Sequence, residues 1–505
     1  MVENPTTTNT TTTDATPSTI LDSTNNNATT TTADVPVHTI PSSVTSLAEC
    51  AAWQIQALLE GPNETDNAVM EDDWEDALDD GFVLCDLQTI VNKVTAWRNH
   101  LFPSIAPYYA VKCHPDPKVV QVLAQQGVCF DCASGSELNL VLTNSTTVKD
   151  VAQTIVYANP QRAEQDLERA LQQGISLWTF DGPEELYKIQ AAHQKLVQQQ
   201  QVEAPLALPL LILRILVPDH GSTVPLGEKF GTDPARVAEL AHLAIDTFQF
   251  DIVGISFHCG SGNHDAQAFC TAIALAQIAM EQVNEIYKKL GKSDQACWLL
   301  DIGGGYPGRD GVGADELRFR GQRPSDQDQL EPEKDVEVTS DIAKVVRPVL
   351  DKLYQDYHHP QNRPLQVIAE PGRYFVEAAF ALCSRIFRRT VERDSDGTIV
   401  YCHYYIAQGV QGLFKDCILC NESFLPIPYA INNNDSQTDD AQTIPCSVHG
   451  PSGEDYDVIC QNYALPPLQV GDWLVFDRMG AYTLSIAARS GRPPIRYVAG
   501  GAKLE

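Results

Sequence analysis

The chain has 505 residues and a mass of 55.5 kDa, enough for one large barrel and a second domain. Its 35 basic residues stand against 66 acidic ones, a formal charge of -31. That balance argues against nucleic acid and anionic membrane as partners and favours the approach of a cationic ligand. Fourteen cysteines are too sparse for a disulfide scaffold, no run of about 18 apolar residues is present, and the N-terminus lacks a secretory signal, so a cytoplasmic setting is expected.

Residues 1–46 are rich in Thr, Asn and Pro and read as a disordered tail. Residues 47–87 hold a lead-in, an acidic linker from Gly61 to Asp80, and a strand, Phe82 to Asp86, expected to join a later β-domain. Eight short apolar runs then follow, each ending in polar or glycine residues before a helix-like stretch. They are Pro107–Lys112, Val128–Ser134, Thr154–Pro160, Ser176–Asp181, Leu208–Leu216, Val253–His258, Trp298–Gly305 and Leu365–Arg373. Continuous apolar strands alternating with helices predict a parallel sheet buried on both faces, and eight units across residues 88–379 predict an α/β fold of the (β/α)8 barrel type. Between them, Pro234–Phe248 places Val237, Leu240, Ala241 and Ala244 on one helical face. Gly308–Asp335 and Asn432–Asp440 read as loops. Residues 380–505 predict a C-terminal β-domain, with strands at Thr398–Ile406, Trp473–Phe476 and Met479–Thr483. Cys417-Ile418-Leu419-Cys420 has zinc-ligand spacing without a second pair, and its apolar interior reads as a buried strand.

In such a barrel the chemistry sits at the C-terminal strand ends. Those ends read Lys112, Asp131, Asn159, Asp181, Arg214, His258, Gly303-Gly304-Gly305, and Glu370 with Arg373. A partly desolvated lysine after Tyr109-Ala110-Val111 can serve as a covalent nucleophile. The triple glycine is either a tight turn or a backbone cradle for a phosphate, to which Arg373 and Ser261 could add a guanidinium and a hydroxyl. Glu370 needs a cationic partner to stay charged at the end of an apolar strand, and a protonated ring nitrogen would be one. His258 is open to three roles, ligand, base or stacking surface, or to none as a satisfied core histidine. Lysine, phosphate cradle, acid and stacking imidazole together specify pyridoxal 5′-phosphate, with no metal required.

Pro107-Tyr108-Tyr109-Ala110-Val111-Lys112, Phe130-Asp131-Cys132-Ala133-Ser134, Tyr157-Ala158-Asn159-Pro160, Ser256–Gly262, Leu300–Gly308, Ala369-Glu370-Pro371-Gly372-Arg373-Tyr374 and Met479–Thr483 resemble the eukaryotic ornithine decarboxylase family, group IV decarboxylases on the alanine racemase-like fold. The resemblance runs from about Gly81 to Ala499. It implies that Lys112 binds the cofactor, that His258 stacks on its ring, and that Glu370 meets the pyridine nitrogen. It further implies Ser261, Gly304, Gly305, Arg373 and Tyr482 around the phosphate, with Asp131 and Arg214 also in the cofactor site. The implied activity is decarboxylation of a basic amino acid, ornithine to putrescine first, with lysine or arginine as alternatives. The implied assembly is a head-to-tail homodimer with shared active sites, Lys229 and Asp457 matching positions that pair across it, and the implied regulator is antizyme-like.

The departures fall on the substrate side. Where the family has Gly-Pro-(Thr/Ser)-Cys-Asp, this chain has Gly450-Pro451-Ser452-Gly453-Glu454. Gly453 replaces the cysteine that returns a proton to Cα after CO2 leaves, and Glu454 replaces an aspartate that binds the distal amine. Asn421 replaces a second such aspartate, and the family's Phe-Asn-Gly-Phe run is shortened to Arg489-Ser490-Gly491-Arg492. An amide in place of a carboxylate weakens an ammonium contact from about 1.5–3 to about 0.5–1.5 kcal/mol. A lost general acid costs about 10²–10⁴-fold. These substitutions leave a second reading open, a non-catalytic, antizyme inhibitor-like paralogue.

Overall fold

The computed structural model describes residues 37–41, 44, 46–60, 81–199, 206–227, 229–308, 338–420, 422, 424–431, 443–488 and 491–499. Each of the eight apolar runs contains a strand. These are β1 (Ala106–Ala110), β2 (Cys129–Cys132), β3 (Ile155–Tyr157), β4 (Leu177–Phe180), β5 (Leu210–Arg214), β6 (Ile252–Ser256), β7 (Leu299–Asp301) and β8 (Gln366–Ala369). All neighbours pair in parallel and β8 returns to β1, closing the barrel.

Period-two alternation sorts the strand residues. Tyr109, Phe130, Tyr157, Trp178, Leu213 and Leu300 pack outward against the helices, whereas Tyr108, Val156, Ile212, Leu299 and Ile368 form a separate inner cluster. The same alternation turns Asp131, Arg214, Ser256 and Asp301 inward at the C-terminal rim, where Arg214 faces Ser256 and Ser256 faces Asp301 across the ladder. Local signals place the connecting helices. Asp116 caps Pro117–Gln125 through the Val119 N–H at 3.0 Å, and Ser134 Oγ caps Gly135–Asn144 by accepting the Glu137 N–H while Glu137 Oε2 accepts the Ala133 N–H. Over Pro234–Phe248 the four core-facing residues are buried, although the helix tightens at its start and widens to a π-turn over Leu243–Thr247.

The strand Phe82–Asp86 pairs antiparallel with the long strand Phe380–Arg393, which also pairs with Trp473–Phe476 and Ile399–Ile406. Helix Leu47–Glu60 covers one face of this sheet, burying Ala51, Ile55 and Leu58 against Phe82, Leu84 and Trp473. No helix among the described residues is long and apolar enough to cross a membrane.

Three expectations change. The end of the Thr-rich tail has structure, since Val37–Thr39 pairs in parallel with Ile495–Ala499. The Cys417–Cys420 segment is a short helix, Asp416–Leu419, not a buried strand. Ile418 and Leu419 are 61% and 68% exposed there, because a single turn can bury only one side. Met479–Thr483 is a series of turns, for Gly480 comes so close to the Val376 backbone that a Cβ would lie 1.8 Å from its carbonyl oxygen. The acidic linker, the expected loops beyond Gly308 and over Asn432–Asp440, and the first 36 residues lie outside the described residues.

Candidate active site

Lys112 sits in a 3-10 turn, Val111–Cys113, just past β1, and its side chain is 38% exposed at the barrel mouth. The turn is held by the Tyr109 hydroxyl donating to the His114 carbonyl at 2.9 Å and by the Tyr482 N–H donating to the Cys113 carbonyl at 3.1 Å. The Lys112 ammonium pairs with the fully buried Asp131 carboxylate of β2. Burial opposes its charge, but Asp131 and Glu370 outweigh that and raise its pKa above the ordinary lysine value.

Glu370 follows β8 and is held by its N–H donating to the Gly303 carbonyl at 2.7 Å. Burial first, then Asp301 and Asp131, push its carboxyl well above the usual range, while Lys112 and Arg214 pull the other way. In the sequence Asp301 stands only as part of a glycine-rich motif. Its sequence signal was its inward parity, two residues beyond Leu299, a deduction that needs the strand's buried face to be known. Arg214, the last residue of β5, lies with its guanidinium 5.0 Å from the centre of the Phe230 ring.

His258 leaves β6 on a loop and accepts the Gly260 N–H at Nδ1, 3.0 Å away. Burial, followed by the Arg214 and Lys112 cations, drops its pKa well below the histidine norm, so it presents a neutral ring. A neutral ring suits a flat stacking face. The triple-glycine loop is applied closely to this segment. A Cβ at Gly304 would stand 2.6 Å from the Glu370 carbonyl oxygen and 2.9 Å from His258 Nε2, and Gly305 has φ +102 with the Gly260 oxygen 2.3 Å from where a Cβ would sit. Ser261 opens a short strand on the same loop, paired with Ser222–Val224.

Arg373 begins a single helical turn, with Nη1 3.8 Å from Glu377 Oε1 and its guanidinium 5.4 Å from the Tyr482 ring centre. Tyr482 comes from beyond the strand Trp473–Phe476 and takes φ +56, a left-handed backbone that a tyrosine holds only under constraint. Lys112, Asp131, Arg214, Glu370, Arg373 and Tyr482 therefore converge, each acting electrostatically on another, and Arg214 and Lys112 act on His258.

Other sequence candidates serve the scaffold. Asn159 donates to the Ala133 carbonyl and accepts from Gln161, while Asp181 accepts the Gly231 N–H at 2.9 Å. Glu454 lies on an exposed turn, and among the described residues no hydrogen bond or ion pair joins it to the Lys112 cluster. Gly453 beside it has φ +73 and open space around its Cβ position. Asp457 is buried and binds loops of the same chain, accepting from Val410 N, Ser452 N and Ser452 Oγ at 2.9, 3.0 and 2.7 Å. Asn421 lies outside the described residues.

The cluster fits pyridoxal phosphate on its own terms. It offers an amine held by a carboxylate, an acid that needs a cationic partner, buried oxygens on Asp131 and Asp301 without donors, a neutral imidazole face, and a glycine loop near an arginine. A closed (β/α)8 barrel with this constellation at its C-terminal mouth defines a pyridoxal phosphate protein with an added β-domain. The chain belongs to the pyridoxal-dependent decarboxylases, whose pyridoxal-binding domain profile matches residues 87–377. Antizyme inhibitor 2 of Xenopus laevis is 31% identical over 430 residues, 83% of this chain and 81% of its own length. Ornithine decarboxylase of Caenorhabditis elegans is 32% identical over 417 residues, 81% of this chain and 84% of its own. The arginine decarboxylase of Paramecium bursaria Chlorella virus superposes with a TM-score of 0.67 at 24% identity, covering 89% of this chain and 99% of that one. The lysine/ornithine decarboxylase of Vibrio vulnificus, complexed with cadaverine, gives 0.64 at 23% identity over 90% and 99%. These two structures share the fold.

Proposed function

We propose that this chain decarboxylates a basic amino acid, with L-ornithine as first substrate and putrescine as product, in polyamine biosynthesis in the cytoplasm. The observation that carries the reading is the complete cluster around Lys112, with Asp131, Arg214, His258, Glu370, Arg373 and Tyr482 all in place. A protein released from chemistry has no physical reason to hold so many buried charges together, because each one costs stability unless paired.

Bound pyridoxal phosphate supplies the electron sink for the pair left when CO2 departs. Lys112 would hold the cofactor, and Asp131 keeps the Lys112 nitrogen charged and aimed into the mouth. Glu370 would set a negative charge against the ring nitrogen, and the neutral His258 ring would offer it a stacking face. Ser261, Gly304, Gly305, Arg373 and Tyr482 would bind the phosphate. Glu454 and Asn421 would receive the distal ammonium of the substrate from a partner subunit and from the same subunit respectively, which makes a homodimer with shared sites the working unit. The acidic surface favours encounter with a cationic amino acid.

One observation favours a second reading, a regulatory paralogue resembling antizyme inhibitor and acting on an antizyme-like partner. Gly453 brings no ionisable group to the position of the family's cysteine. The purified chain loaded with pyridoxal phosphate and given carboxyl-labelled ornithine, lysine and arginine separates the two. Release of labelled CO2 from one of them is expected. Silence from all three, with the cofactor's visible absorbance present, would establish the regulatory reading.

Gly453→Cys tests the substrate side. The site has room for the side chain, although a non-glycine residue at φ +73 is strained by about 1–2 kcal/mol. A thiol able to return a proton to Cα is expected to raise turnover by up to about 10²-fold. Unchanged turnover would place protonation elsewhere.

A further inference from the structure

One buried acid remains unused. Asp301 is wholly buried at the end of β7, and while its Oδ1 accepts the Gly303 N–H at 2.9 Å, its Oδ2 has no donor. A carboxylate oxygen stripped of water and given no donor is costly, so a partner is required. The register indicates which. Asp301 is opposite Ile368 of β8, and Glu370, just past the end of that strand, donates its N–H at 2.7 Å to the carbonyl of Gly303, the same residue whose N–H Asp301 accepts. The Glu370 carboxyl is within hydrogen-bonding reach of Asp301. Two ionised carboxylates cannot hydrogen-bond to each other, whereas a single proton between them supplies the missing donor.

Charge balance leads to the same place. The inward carboxyls are Asp131, Asp301 and Glu370, and the cations acting on them are Lys112 and Arg214. The phenols of Tyr108 and Tyr306 also face Asp301, but burial raises both pKa values and keeps them neutral. Among these inward groups three acids against two cations leave one excess negative charge, which one proton removes; Glu137 and Asp181, which draw on the same cations, add to the excess.

We propose that Asp301 and Glu370 hold one proton between them in the cofactor-free protein and give it up to solvent when pyridoxal phosphate, whose ring nitrogen is already protonated near neutral pH, binds beside them. The O–H bond of the pair breaks, the proton passes to water, and no redox change occurs. Two carboxylates remain, so three negative groups then face three cations. Asp301 is thus a positioning residue that acts through Glu370. Burial raises the Asp301 carboxyl to about 7 and that of Glu370 well above its usual range, in keeping with a proton resident at neutral pH. The inference rests on the pyridoxal phosphate reading of the site.

Calorimetric titration of pyridoxal phosphate into the cofactor-free full chain, in two buffers of different ionisation enthalpy, counts the protons exchanged. Asp301→Asn leaves two acids against two cations, so no shared proton is retained. The variant is expected to release about one proton fewer to the buffer than the wild type, the shared proton having been removed with Asp301. Equal counts would overturn the proposal. Infrared difference spectra of the wild type provide a second readout that does not depend on the variant folding. A protonated-carboxyl C=O band should be present without cofactor and vanish when it binds; absence of that band also overturns the proposal. Failure of the wild type to develop the cofactor's visible absorbance would instead sink the pyridoxal phosphate reading.

Discussion

Lys112→Ala is expected to abolish the visible absorbance of bound cofactor and to lower kcat by at least about 10³-fold, because it removes the amine that Asp131 holds at the mouth for the covalent role. The variant also strands Asp131, which is 0% exposed and loses its ion-pair partner. A buried carboxylate so deprived takes up a proton or destabilises the fold. Lys112→Arg separates the two consequences. Its guanidinium keeps the charge beside Asp131 but does not release a proton at any working pH, so thermal stability should hold while absorbance and turnover are lost. Difference spectroscopy and calorimetric melting of both variants check this. Retained absorbance in either would remove Lys112 from its assigned role.

Glu370→Gln is the second large effect, with kcat expected to fall by about 10²–10³-fold as the charge opposite the ring nitrogen disappears. The cofactor-free protein should behave differently from the enzyme. In it Glu370 is a buried acid crowded by Asp301 and Asp131, and its ionised form is a burden on the fold. The sign follows from its raised pKa. Folded protein binds more protons than unfolded protein above the normal carboxylate range, so stability is lost as pH rises toward the folded pKa values, near 7 for Asp301. Each proton contributes at most about 1.4 kcal/mol per pH unit. Wild-type protein without cofactor should therefore melt progressively lower from about pH 5 to about pH 8, and Glu370→Gln should flatten that fall. A variant with turnover within about threefold of wild type would show that the charge at Glu370 does not matter.

Much of this site was legible in the chain because its parts lie at the ends of strongly apolar strands. Lys112, Asp131, Arg214, His258 and Glu370 each follow such a run, and the barrel rule then places them around one mouth. Asn159 and Asp181 met the same rule and proved to be loop ligands, since a strand end says nothing about which way a side chain turns once the ladder stops. Cys417–Cys420 misled for a related reason: two apolar residues between cysteines suit a buried strand or one exposed helical turn equally well, and the surroundings chose the turn. Tyr482 was placed through resemblance alone. Its left-handed backbone and its bond to Cys113, 369 positions earlier, leave no periodic trace in sequence.

By itself the sequence determined the strand and helix alternation, the charge of the surface and the residue types available for chemistry, because these depend on local apolar pattern and composition. Only the tertiary structure decided that Asp301 and Glu370 meet at Gly303, that Asp457 is engaged by loops of the same chain, and that Glu454 lies outside the cluster. Those outcomes depend on register between strands distant in the chain, and on burial, which sets how much an unpaired charge costs.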